Sequence, residues 1–195
     1  SMVGCLFELE AQSKGQLKVV RTAKEITTSL EKGVMAAILH FEGAEAIDAE
    51  LHNLHAFYKA GLRSIGPVWS RPTIFANGVP FAFPSSPDTG DGLTEAGVRL
   101  IQECNQLGIM IDLSHMNEKG FWDVAKLTTK PLVATHSNAH TLCASTRNLT
   151  DKQLDAVKES NGVVGLNYNV GFLRADGKPN DPTTVAELVR HGRYI

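Results

Sequence analysis

Short, mostly apolar runs separated by helix-length segments constrain this chain more than any other feature. Residues 34–39, 109–113, 131–134 and 162–166 have strand length and lack the alternation of a half-exposed strand. Residues 62–65 form a weaker fifth run, and 5–9 a short opening strand. The intervening helices have legible ends. Thr22 and Glu25 form a capping box ahead of Ile26 and Leu30, and Gly33 supplies the left-handed stop. Ile47, Leu51, Leu54 and Tyr58 recur at helical spacing up to Gly61, as do Leu93, Ala96, Leu100, Cys104 and Leu107 up to Gly108. Phe121, Val124 and Ala125 mark a further helix. Thr150 and Gln153 make a second capping box before Leu154 and Val157, and residues 185–189 begin a last helix. Strands of this kind suit a parallel sheet covered on both faces. Two α/β architectures satisfy the pattern, an open doubly wound sheet and a (β/α)8 barrel. Six strands and 195 residues fall just short of a full barrel, so a single domain over 1–195 is expected.

Composition narrows the function classes. The balance of 19 Lys+Arg against 21 Asp+Glu lacks the basic surplus of a nucleic-acid binder. No apolar run approaches the roughly 18 residues of a membrane span, and no secretory leader pattern opens the chain. Three widely spaced cysteines without a CxxC pair argue against a zinc ribbon and for a reducing, cytoplasmic setting. Five of the eight prolines crowd into residues 67–87. The connection over 67–92 is therefore expected to be a long loop on the active-site side, a lid or a dimer contact.

The polar residues that follow the strands are Glu42, Trp69, His115, His136 and Asn167. In a parallel α/β fold all five converge at the carboxyl-end rim, where chemistry is built. Two imidazoles and a carboxylate at one rim suit Zn²⁺, although each alone is equally compatible with a satisfied buried polar group. Ser114, Thr135, Ser137 and Asn138 flank the histidines and are candidate partners for their rings. His40 reads as a core or supporting residue, His52 and His55 as solvated, and His140 and His191 as surface or supporting groups. Arg147 is near enough in sequence to reach the same mouth and clamp a carboxylate, with a structural ion pair as the equal alternative.

Taken together, residues 41–43, Gly92-Leu93-Thr94, Asp112-Leu113-Ser114-His115, Thr135-His136-Ser137-Asn138 and Arg147-Asn148 resemble the membrane (renal) dipeptidase family of zinc peptidases. The likeness runs over nearly the whole chain, and residues 61–71 resemble a bacterial branch. The resemblance implies a (β/α)8 TIM-type barrel with two zinc ions and hydrolysis of dipeptides by a metal-activated hydroxide. By motif match Glu42 bridges the metals and is the catalytic carboxylate, His115 and His136 ligate one zinc, and Arg147 binds the substrate carboxylate. Trp69 stands where the family has a substrate-binding histidine.

The family's His-x-Asp pair on the first strand and its aspartate on the last strand have no counterpart in this chain. The expectation is a barrel lacking its first and last strands. Glu42, His115 and His136 would then hold one zinc or none, and the small peptide is the expected partner. Unpaired strand edges predict a homo-oligomer. Two alternatives stand beside the dipeptidase reading: a non-catalytic fragment or pseudo-enzyme with a partial metal site, and a metal-dependent hydrolase of another amide or ester.

Overall fold

The computed structural model describes residues 2–195. The chain begins with α1 (Met2–Gln12) and continues through β1 (Leu17–Val19), α2 (Ala23–Glu31), β2 (Met35–Ala37) and β3 (Leu39–Glu42). It then alternates through α3 (His52–Ala60), β4 (Leu62–Gly66), α4 (Glu95–Leu107), β5 (Met110–Ile111), α5 (Glu118–Leu127), β6 (Val133–Ala134), α6 (Asp151–Glu159) and β7 (Val163–Val164). A 3-10 turn at Val170–Phe172 and α7 (Val185–Tyr194) complete it.

Every strand pairing is parallel and joins neighbours in chain order: β1 with β2, β3 with β4, β4 with β5, and β6 with β7. A parallel bridge between Asp112 and Val133 carries the ladder from β5 to β6. Only Ile38 separates β2 from β3, so the two segments act as one stave of a six-stave arc. Among the described residues no pairing joins β1 to β7, so the arc is not a closed barrel. Val163, on the terminal strand β7, is exposed as the sequence leads one to expect at an open edge, and Met35 and Ile38 are exposed on the interior stave β2–β3.

Helices pack against one face of the arc. Leu54, Leu100, Ile101, Cys104, Phe121, Val124 and Val157 project from α3 to α6 and are buried, together with Ile65 of β4. Each such side chain contributes about 1.5–3 kcal/mol of hydrophobic stabilisation. The caps form as the sequence predicts. Thr22 Oγ1 accepts from the Glu25 amide while Glu25 returns to Thr22, and Thr150 and Gln153 repeat the exchange.

The opening segment differs from the expectation. Residues 5–9 belong to a helix, not a strand: Val3 and Leu6 lie three apart and pack against the core, and Glu8 accepts from Gln12 one turn on. The first strand is instead Leu17–Val19, which pairs with β2. Its exposed Lys18 interrupts the apolar pattern that would have revealed it.

The connection over 67–92 is a pinned wall, with Val68, Phe75, Ala76 and Val79 buried. Val79 N donates to His115 O at 2.8 Å, and Thr94 N to Phe75 O at 2.9 Å. Thr146 ties down the far side, its hydroxyl donating to Pro80 O and its amide to Ala82 O. Gly78 sits where this wall folds over the 69–71 turn, and a Cβ there would run into the Trp69 carbonyl oxygen. Gly78→Ala is therefore expected to cost about 1–3 kcal/mol in urea unfolding, the range for overpacking. Trp69 fluorescence should shift with it.

Candidate metal and substrate site

The carboxyl ends of the strands supply the site. Glu42 is the last residue of β3, His115 lies four residues beyond β5, and His136 two beyond β6. The left-handed backbone of His115 (φ 69°) turns its ring back into the rim. For a residue with a Cβ this conformation costs about 1–3 kcal/mol and must be held. Val79 N on His115 O and Met116 N on Leu113 O hold it.

The three side chains meet at their tips. His115 Nε2 is 3.0 Å from Glu42 Oε1 and 3.0 Å from His136 Nε2, and His136 Nε2 is 3.2 Å from Glu42 Oε1. Donors around a tetrahedral zinc with bonds of about 2.0–2.1 Å stand about 3.3 Å apart. The triangle thus has nearly the required size, and two imidazoles with one carboxylate fit zinc chemically. Burial pushes the His115 pKa down to about 3, helped by the charges of Arg147 and His136. His136 is lowered for the same reasons, burial first and then Arg147. Both rings are therefore neutral at pH 7, the state a metal requires.

A cavity of about 520 Å³ opens over the triad, lined among others by Trp69, Phe81, Arg147, Asn167 and Phe172. All five strand-end residues expected at the rim, Glu42, Trp69, His115, His136 and Asn167, face this one space. Arg147 is only 3% exposed. Its Nη2 donates to the His136 carbonyl at 3.2 Å, its guanidinium lies 5.6 Å from the Phe172 ring, and its Nε is buried with no partner among the described residues. Burial lowers its pKa to about 10, with Asp112 and Glu42 opposing, so the cation persists at neutral pH. A buried cation lining a cavity is matched to an anionic ligand group.

Trp69 packs 5.7 Å from the His115 ring and edge-on to Phe81, with Arg71 stacked 5.5 Å away. Phe81 stacks on Phe172 across the cavity. These two phenylalanines were not singled out in the sequence, because neither follows a strand and only the pinned wall and the 3-10 turn bring them in.

The partners of the histidine rings are partly those expected. Thr135 Oγ1 lies 2.8 Å from His136 Nδ1, and Ser114 Oγ accepts from the His136 amide. His115 Nδ1 instead meets Ser70, 2.7 Å away. The Ser137 hydroxyl is buried without a partner among the described residues, while Asn138 bonds the backbone of Asn167. His40 supports from below, its Nδ1 2.7 Å from Ser64 Oγ. His52 and His55 are exposed beside Asp48 and Glu103, and His140 is part-buried with Nε2 on Ser85 O. Of the two readings open for His191, surface or supporting, the structure gives the second. The ring is completely buried, with Nδ1 accepting from Ala139 N and Nε2 donating to Leu173 O.

Comparison with known proteins accords with this geometry. The sequence model of the membrane dipeptidase family (peptidase family M19) matches residues 3–195. An uncharacterized protein in the pqqA 5' region of Klebsiella pneumoniae is 52% identical over 97% of this chain and 70% of its own length. An uncharacterized dipeptidase of Schizosaccharomyces pombe is 32% identical over 96% of this chain and 44% of its own. The crystal structure of a metallo peptidase from Rhodobacter sphaeroides, liganded with a phosphinate mimic of the dipeptide L-Ala-D-Ala, superposes with a TM-score of 0.98 at 56% identity. That match covers 99% of this chain and 55% of the other, so this chain spans about half the length of the solved relative. Among the described residues no helix is long and apolar enough to cross a membrane. By sequence match along nearly its whole length, and by backbone likeness to a solved metallo peptidase, the chain belongs to the membrane dipeptidase family, peptidase family M19.

Proposed function

We propose that this chain carries the zinc-binding and carboxylate-binding half of a dipeptidase site. The observation that supports it is the convergence of the Glu42–His115–His136 triangle and the half-unpartnered Arg147 on one cavity. Glu42, His115 and His136 would hold the metal. A bound zinc supplies a Lewis acid for the peptide carbonyl and a water acidic enough to attack at neutral pH.

The other roles fall to the chain's own side chains. Arg147 offers its guanidinium, in the cavity wall, to the C-terminal carboxylate, and Phe172 beside the guanidinium keeps water from that pair. Glu42, half-exposed at the mouth, is the one carboxylate lining the cavity among the described residues and is placed to accept a proton there. Trp69 and Phe81 pack against the substrate and exclude water beside His115. The indole N–H makes no hydrogen bond among the described residues, so it is free to donate to a substrate oxygen.

Zinc loading followed by assay of L-Ala-D-Ala and related dipeptides tests this reading. Zinc uptake by this chain is the expected result, with hydrolysis that stops on chelation and returns with zinc once the other half of the site is supplied. Turnover indifferent to chelator, or a chain that takes up no zinc, would sink it. The aromatic wall of Trp69, Phe81 and Phe172 favours one alternative, hydrolysis of an apolar acyl amide or ester, and a faster rate on N-acyl amino acids would select it.

A further inference from the structure

The two triad histidines are held from behind in different ways. His115 Nδ1 faces Ser70 Oγ, a hydroxyl with no other hydrogen bond among the described residues, so either atom can donate. His136 Nδ1 faces Thr135 Oγ1, and that hydroxyl is already committed: it lies 2.5 Å from Asp112 Oδ2. Asp112 also accepts the Ser114 and Thr135 amides on Oδ1, at 3.0 and 2.9 Å. Burial pushes the Asp112 carboxyl up, but these bonds outweigh it and hold the pKa below its usual value. The carboxylate is ionised and can only accept.

The rest is proton counting. A threonine hydroxyl has one hydrogen, and here it goes to Asp112. The Thr135 oxygen can then only accept from His136. That puts the ring hydrogen on Nδ1 and leaves the Nε2 lone pair facing Glu42 and His115.

We propose that Thr135, backed by Asp112, is a positioning residue that locks His136 in the Nδ1–H tautomer and so makes Nε2 a metal donor. The proposal rests on the zinc reading above. The relay spans two staves, because Asp112 follows β5 and Thr135 follows β6. Ser114 Oγ independently holds the His136 amide at 3.0 Å, so loss of the Thr135 hydroxyl frees the ring without moving the backbone. His40 Nε2 stands 3.8 Å from Asp112 Oδ2, too far to compete for it.

Thr135→Val keeps the shape and removes the hydroxyl, whereas Thr135→Ser keeps the hydroxyl. Two readouts separate the roles: zinc affinity by competition with a chromophoric chelator, and the His136 ring tautomer by ¹⁵N–¹H NMR of the metal-free chain. Thr135→Val is expected to lose zinc affinity on the order of 10–100-fold, the usual cost of losing a residue that orients a ligand. Its Nδ1–H signal should disappear, while Thr135→Ser stays close to wild type in both. Unchanged affinity in Thr135→Val, or reduced affinity with the tautomer unchanged, overturns the proposal. So does a wild-type His136 protonated on Nε2. If the wild-type chain binds no zinc, the metal reading fails on its own, and the NMR arm still decides whether Thr135 sets the tautomer.

Discussion

Glu42→Ala is expected to lower zinc affinity by about 10²–10³-fold while leaving the fold intact. Glu42 is the only anionic member of the triangle, with Oε1 3.0 Å from His115 Nε2 and 3.2 Å from His136 Nε2. Without it two neutral imidazoles remain beside a buried arginine cation, an unfavourable place for a dication. Structural zinc sites bind with about 10–16 kcal/mol spread over four ligands, or about 2.5–4 kcal/mol per ligand. At 1.4 kcal/mol per tenfold this gives the stated loss. The Glu42 side chain is 47% exposed, so its removal leaves no cavity and no buried orphan, and thermal unfolding without metal should match wild type. His136→Ala would also weaken binding but strips a partner from Thr135, which makes it the less clean variant. Isothermal titration with zinc and chelator competition check the prediction. Retention of affinity within tenfold in Glu42→Ala would place the metal elsewhere.

Much of the scaffold was readable because its signals are local. The capping boxes at Thr22 and Thr150 need only residues three apart, and both form as written. The rim was readable for a topological reason: residues just past parallel strands share one end of the sheet wherever the helices fall. Glu42, Trp69, His115, His136 and Asn167 thereby reach one cavity. What stayed hidden depends on neighbours across the sheet. The three-residue β1 exists through its pairing with β2, and nothing in Leu17-Lys18-Val19 alone announces a strand. The true partner of His115 is Ser70, 45 residues away, because the pinned wall delivers it; the adjacent Ser114 turns to the His136 amide. Asp112 reads as a polar interruption of an apolar run until β6 is laid beside it and Thr135 arrives at its carboxylate. Pattern alone leaves His191 open as a surface or a supporting group, because the partners that decide it, Ala139 and Leu173, lie 52 and 18 residues away.

His191→Leu is expected to destabilise the chain by about 2–5 kcal/mol and to remove part of its acid sensitivity. The ring joins three segments: α7 carries it, Ala139 belongs to the loop that follows His136, and Leu173 follows the 3-10 turn bearing Phe172. Leucine fills most of the space but strands a backbone N–H and a backbone C=O, each costing about 1–3 kcal/mol when left unpaired in a buried site. The pH term follows from the same geometry. Nδ1 accepts the Ala139 N–H, so a protonated ring would set two donors against each other. Burial lowers the His191 pKa, with the Leu173 carbonyl partly opposing, whereas the unfolded chain keeps a value near 6.5. As pH falls below about 6.5 the unfolded state takes up a proton that the folded state refuses, so stability falls until the folded pKa is passed. Above about pH 7.5 both states are neutral and the term vanishes. Urea unfolding at pH 7.5 and 5.5 in metal-free buffer measures both effects. Wild type should lose more stability between the two pH values than His191→Leu does, since the variant lacks this group but keeps His115 and His136. Equal losses would show that His191 is not among the groups that couple folding to pH, and a variant as stable as wild type at pH 7.5 would show that the two backbone groups find other partners.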